Sequence, residues 1–135
     1  MKTTTLLFFL LIAAGPAAAQ DSTLLRGAWE RVFVRIILPD TTIEEHFPEN
    51  PRLHKIVTAT HFAFGRQTED GEGVFAGGGR YEIEDSSYRE TYDYHGSPSM
   101  VGKSVTFDSS VEDSLWHISG IVGRFRLEET WRRMH

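Results

Sequence analysis

The chain has 135 residues, with 14 basic residues against 19 acidic ones and no cysteine. That length fits one domain, and the net charge of −5 argues against nucleic acid or anionic lipid as a partner. With no disulfides, stability has to come from a core that is modest at this size.

The first nineteen residues read apart from the rest. Lys2 gives a positive start, and Leu6 to Ala14 is an apolar run too short to span a membrane. Ala17-Ala18-Ala19 then offers a small-residue cleavage site. This pattern predicts a secretory signal peptide over 1–19, cut before Gln20, and a domain over 20–135. No cysteine follows the apolar run, so a lipoprotein anchor is excluded. The expected location is secreted or periplasmic, with no membrane span after processing. Without Lys2 the domain holds 13 basic against 19 acidic residues, a net charge of −6. Repeats, low-complexity tracts and linkers are absent.

After residue 22 the segments are short and rich in Val, Ile, Phe, Tyr, Trp and Thr. The pattern predicts strands at roughly 26–38, 42–47, 54–66, 73–83, 87–95, 101–108, 114–120 and 124–133. Pro39-Asp40 joins the first pair. Pro48 and Pro51 exclude a long helix in the next connection. Asp70-Gly71, Asp85-Ser86 and Glu112-Asp113 are hairpin signals, and Gly120 and Gly123 frame the last turn. A longer loop runs from His95 to Ser99. Every connection is too short for a parallel crossover, so the strands form an antiparallel meander. Eight strands with aromatic inner positions leave two open edges unless the sheet closes. The expected fold is therefore all-β, an up-and-down barrel of about eight strands. An even count sets Gly27-Ala28-Trp29 beside Trp131-Arg132-Arg133, and leaving out 42–47 would make the count odd.

These two ends resemble the lipocalins, whose first strand carries Gly-x-Trp and whose barrel ends on an arginine packed over that tryptophan. Gly27, Ala28 and Trp29 match the first motif; Arg132 or Arg133 would supply the arginine, and a guanidinium over an indole face is favourable. A closer resemblance covers 55–133. The runs KIVTATHFAFGR, GGGRYEIEDSSYRETYDY, VGKSVTF and LEETWRR look like small secreted bacterial lipocalin-like domain proteins of the calycin group. The resemblance implies a lipocalin-like barrel, in a group without a settled function. The middle lipocalin motif, Thr-Asp-Tyr, has only a loose echo in Thr91-Tyr92-Asp93-Tyr94. The usual disulfide is missing, and the short chain implies reduced lids.

Alternate residues of a barrel strand point inward. In 87–95 the inward set is Tyr88, Glu90, Tyr92 and Tyr94. In the last strand it is Phe125, Leu127, Glu129, Trp131 and Arg133. For 54–66 two sets compete, one holding Phe62 and Phe64 and the other His61. In the first strand Trp29, Phe33 and Ile37 compete with Val32, Val34 and Ile36, and a bulge near Arg31 would reconcile them. Gly77-Gly78-Gly79 is followed by neither a helix nor a Lys-Ser pair, so it reads as a structural bend and not as a phosphate loop. The six histidines show no ligand spacing, so no metal and no cofactor are expected; the exception would be a haem or metal site built from His61 and His117, both in strand centres.

Glu90 and Glu129 lie among inward residues, where a carboxylate costs several kcal/mol unless it is paired or protonated. Arg133, Arg66 and Arg31 are the candidate partners. The expected ligand-facing set is Tyr81, Tyr88, Glu90, Tyr92 and Tyr94, with His61, Phe62, Phe64, His117 and Glu129. The expected closure set is Gly27, Trp29, Trp131, Arg132 and Arg133. The leading functional reading is a barrel binding a small apolar or amphipathic molecule. An isomerase, cyclase or hydratase using Glu90 or His61 as acid–base is the second. A filled barrel with a structural or partner-binding role is the third.

Overall fold

The computed structural model describes residues 22–46 and 52–135. The expected leader and the Pro48–Pro51 connection lie outside the described residues. Nine strands are described: β1 (Gly27–Ile37), β2 (Thr42–His46), β3 (His54–Val57), β4 (His61–Gln67), β5 (Val74–Glu84), β6 (Ser87–His95), β7 (Ser104–Glu112), β8 (Leu115–Val122) and β9 (Phe125–Arg133). Every pairing is antiparallel. The chain meanders from β3 to β9, and β1 closes the circuit by pairing with both β3 and β9.

The barrel has eight strands, but they are not the eight read from the sequence. The 54–66 segment is two strands separated by a turn at Thr58–Thr60. Thr58 makes that turn: its Oγ1 accepts from the N–H of Thr60 (3.3 Å) and of His61 (3.0 Å). A threonine hydroxyl can replace the usual turn residues, and no Gly, Pro, Asn or Asp marks the position. The 42–47 segment is a strand but not a member of the circuit. β2 lies along the upper half of β1, pairing Phe33 to Ile37. The shorter β3 pairs only Gly27 to Glu30 on that same edge. The two departures cancel in the count, so the expected closure stands: Trp29 pairs with Arg133 and Arg31 with Trp131.

Two bulges set which side chains face inward. In β1 the register shifts between Arg31 and Phe33. Trp29 and Arg31 therefore share the interior with Ile36, while Phe33 packs against His46 of β2. In β6 the register slips where Gly78 pairs with Tyr94 and Gly79 with Tyr92, leaving Asp93 as an extra residue. Beyond that point the alternation reverses.

The lower end is closed. Trp29, Trp116, Tyr88 and Leu25 are fully buried there. The rings of Trp29 and Trp116 lie 5.4 Å apart, and Tyr88 meets Trp116 edge-on at 5.0 Å. Leu25 follows a short 3-10 helix (Ser22–Leu24) and offers its carbonyl to Trp29 Nε1 at 2.8 Å. Arg133 sits over the Trp29 ring at 4.1 Å and donates to the carbonyls of Arg26 (2.8 Å) and Leu24 (2.5 Å). Gly27 lies at φ +127, and a Cβ there would sit 2.9 Å from Arg133 Nη1. The Gly-x-Trp pattern thus has a local cause: only glycine fits both that backbone and the capping guanidinium. Arg132 faces the other way and pairs with Glu30, which Arg52 also holds at 2.7 Å.

Candidate functional site

β6 supplies the centre of the interior. Tyr88, Glu90 and Tyr92 are buried in succession, as the alternation of SSYRETYDYH predicts. Glu90 is 2% exposed, yet none of its oxygens is left unsatisfied. Oε1 accepts from Lys55 Nζ (2.6 Å) and from the Tyr88 hydroxyl (2.9 Å), and Oε2 accepts from the Tyr92 hydroxyl (2.7 Å). Burial, and then the Glu90 charge, push the Tyr88 and Tyr92 phenols far above their ordinary range. Both therefore stay protonated and keep donating. Glu90 interrupts the tyrosine row because it is the shared acceptor of its two neighbours.

Lys55 is the partner that periodicity did not reveal. It comes from β3, where Lys55 is buried while its neighbour Ile56 is 50% exposed. Its ammonium stands over four rings: Trp131 at 4.8 Å, Trp116 at 5.2 Å, Phe62 at 5.6 Å and Tyr88 at 5.7 Å. The ring faces and the carboxylate together replace the water this ammonium has lost. The second carboxylate is held by an expected partner, with Arg31 Nη1 donating to Glu129 Oε2 at 2.8 Å.

Above this polar base lies a cavity of about 400 Å³. Its floor and sides carry Lys55, Glu90, Tyr92, Arg31, Glu129 and Trp131. Towards the mouth it is apolar, with Ile36, Phe75, Met100, Val122, Phe125 and Leu127. Ser97, Ser99 and Met100 come from the loop with the 3-10 helix Pro98–Met100, which follows β6 and lies against it. His95 also faces the cavity, turned inward by the Asp93 bulge. It packs edge-on against Tyr92 at 5.0 Å, and against Phe64 and Phe75 at 5.6 Å each. The Ser97 N–H donates to its Nδ1 at 2.8 Å. Burial lowers the His95 pKa against the opposing pull of Glu90.

Of the expected ligand-facing residues, Glu90, Tyr92, Phe64 and Glu129 line the cavity. Tyr88 and Phe62 are buried beside Lys55, and Tyr81 is buried against Tyr88 with its hydroxyl on the Thr58 carbonyl (2.6 Å). Three lie elsewhere. Tyr94 is 51% exposed because the bulge turns it out, against Gly78. His61 is exposed, paired in register with Arg80 on the outer face and bonded to Thr60. His117 alternates with the buried Trp116 and Ile118 and meets Thr130 on the outer wall. The glycine run is structural: a Cβ would strike Phe64 at position 77, Tyr94 at 78 and the Thr91 carbonyl at 79. Among the described residues, no group of three or more His, Cys, Asp or Glu is placed to hold a metal ion.

Two solved structures share this topology over nearly their whole lengths. One is a lipocalin-like protein from Bacteroides uniformis, with a TM-score of 0.56 and 13% identity, covering 82% of this chain and 99% of that one. The barrel is a lipocalin-like fold. The other is an uncharacterized protein from Bacteroides eggerthii, with a TM-score of 0.52 and 14% identity, covering 81% of this chain and 98% of that one. No family model matches the sequence, and no curated protein does. At these identities the likeness is one of fold, and the lipocalin-like interior has to be read from its own side chains.

Proposed function

We propose that this lipocalin-like barrel binds a small apolar or amphipathic molecule in the cavity above Lys55 and Glu90. The observation that carries the reading is the cavity itself. Its volume of about 400 Å³ falls within the range of small-molecule sites. Its lower end is closed by tryptophans and its mouth is apolar. The charged groups on its floor are already paired, which suits a ligand held mainly by burial of apolar surface. A filled barrel would have no such space. The acid–base alternative draws no support from this geometry: His61 stands on the outer face, and both oxygens of Glu90 are taken. We propose in addition that residues 1–19 direct export, with the mature chain starting at Gln20 in the periplasm or outside the cell. N-terminal sequencing of extracytoplasmic protein that found Met1 intact would contradict that part.

The binding reading is tested in two steps. Native mass spectrometry of protein purified from its own host should show a bound small molecule. Titration with the neutral apolar dye N-phenylnaphthylamine should saturate at one site per chain, and Leu127→Trp, which fills the cavity, should abolish it. No adduct and no saturable dye binding would overturn the reading.

A further inference from the structure

One inward cation stands outside the ion pairs of the interior. Lys55 is bonded to Glu90 and Arg31 to Glu129, and Arg133 holds backbone carbonyls at the closed end. Arg66 forms no ion pair with any carboxylate among the described residues. On the hairpin that follows it, Asp70 accepts from the Thr68 hydroxyl and the Glu72 N–H, and Glu69 and Glu72 are exposed. Arg66 is the direct cross-strand partner of Phe75, and opposite residues share a face of the sheet. Phe75 lines the cavity, and the Arg66 guanidinium stands over its ring, 5.7 Å from the centroid. Down β4 the same alternation reaches Phe64, another lining residue, and then the buried Phe62. Arg66 therefore continues the inward row at the mouth, where it is half-buried.

Stacking engages one face of a guanidinium and leaves its in-plane N–H fork open, in the geometry that takes a carboxylate through two bonds. The local charge points the same way. Of the groups that line the cavity or stand on its lining rings, three cations (Lys55, Arg31 and Arg66) meet two carboxylates (Glu90 and Glu129). One positive charge is in excess, and it lies at the mouth, where a head group keeps part of its water. His95 adds no further charge near neutral pH, since burial lowers its pKa. The net charge of −5 disfavours an extended anionic surface, but a single head group answers first to the cation beside it.

Resting on the binding reading above, we propose that the ligand is an amphipathic carboxylate. Its head group pairs with Arg66 at the mouth, and its hydrocarbon part lies inside against Phe64, Phe75 and Leu127. Displacement of N-phenylnaphthylamine by decanoate, 1-decanol and decylamine, equal in carbon count, tests this at neutral pH. Decanoate should bind most tightly. Arg66→Gln should weaken decanoate relative to 1-decanol by roughly three- to tenfold, between the worth of an exposed ion pair and that of a charged hydrogen bond. That ratio is insensitive to a loss of folded protein, and Arg66→Lys should restore part of it. The bound carboxyl of carbon-13-labelled decanoate should also titrate at lower pH than the free acid, because a neighbouring guanidinium favours the ionised form; this needs no variant. Binding of 1-decanol as tight as that of decanoate, an unchanged ratio in Arg66→Gln, or an unshifted carboxyl titration overturns the proposal. Tightest binding of decylamine overturns it in favour of a cationic head group. If neither the dye nor any of the three probes binds saturably, the binding reading itself falls.

Discussion

Glu90 and Lys55 stabilise the interior only as a pair. Each is 2% exposed, and each would be a costly buried charge alone. Glu90→Gln keeps the shape and removes the countercharge of Lys55. It should lower stability in urea melts by about 3–5 kcal/mol, the usual cost of breaking a buried pair from one side. Lys55→Met combined with Glu90→Gln should recover much of that loss, because no charge is then left without a partner. Losses that simply add would show the two residues to be uncoupled. His95 governs a different variable. Its folded pKa lies below its ordinary 6.5, so the unfolded chain takes up the proton first as pH falls. Its contribution is complete above that value and declines as pH drops from 6.5 toward the folded pKa. Glu30 acts in a lower window. Its hydrogen bonds to Arg132, and then to Arg52, hold its pKa below 4.5, and that stability is lost as pH falls beneath this value. The urea midpoint followed against pH should thus fall in two stages, and His95→Asn should remove only the upper one.

Strands and turns explain which parts of the site were legible. Wherever the alternation ran unbroken, the inward set was readable: Tyr88, Glu90 and Tyr92 in β6, and Phe125 to Trp131 in β9. A single extra residue defeats that reading, because a slip of one exchanges the two faces. Asp93 is such a residue. It turns Tyr94 out and His95 in, and nothing in its identity announces a bulge. The bulge in β1 was inferable because two apolar sets collided there. Lys55 hid for another reason: hydrophobicity puts Ile56 inside and lysine outside, and the structure does the reverse. Its only trace was the requirement that two inward carboxylates find two inward cations. The β5–β6 bulge also gives a sharp prediction. A Cβ at position 79 would lie 1.9 Å from the Thr91 carbonyl, so Gly79→Ala must push the strands apart. It should cost about 1–3 kcal/mol, as overpacking does. Gly73→Ala, with its nearest neighbour at 3.6 Å, should cost much less on the same urea scale.

At the scale of the whole molecule, closure depends on one seam. β1 meets β9 along most of its length and β3 along only four pairs, and Trp29 anchors the lower end of both. Trp29→Ala should destabilise by about 3–5 kcal/mol in urea, as a large core deletion does, and a loss below about 1 kcal/mol would mean that Trp29 is not part of the core. The antiparallel meander could be read from the short connections, and its closure from the edges that an open sheet with aromatic inner positions would leave unprotected. Which eight strands form it could not, because a threonine turn leaves no compositional mark and β2 has the pattern of a strand without a place in the circuit. The same closure has an optical consequence. All three tryptophans of the chain are buried at one end, within 6.5 Å of a neighbouring indole, and two of them lie under the Lys55 ammonium. Their emission should be blue in the folded protein and red-shifted on unfolding. Energy should pass readily among them, so a molecule entering over Trp131 would alter the signal of the whole cluster. The barrel therefore carries its own label-free fluorophore, reporting on occupancy and on folding from the same few residues.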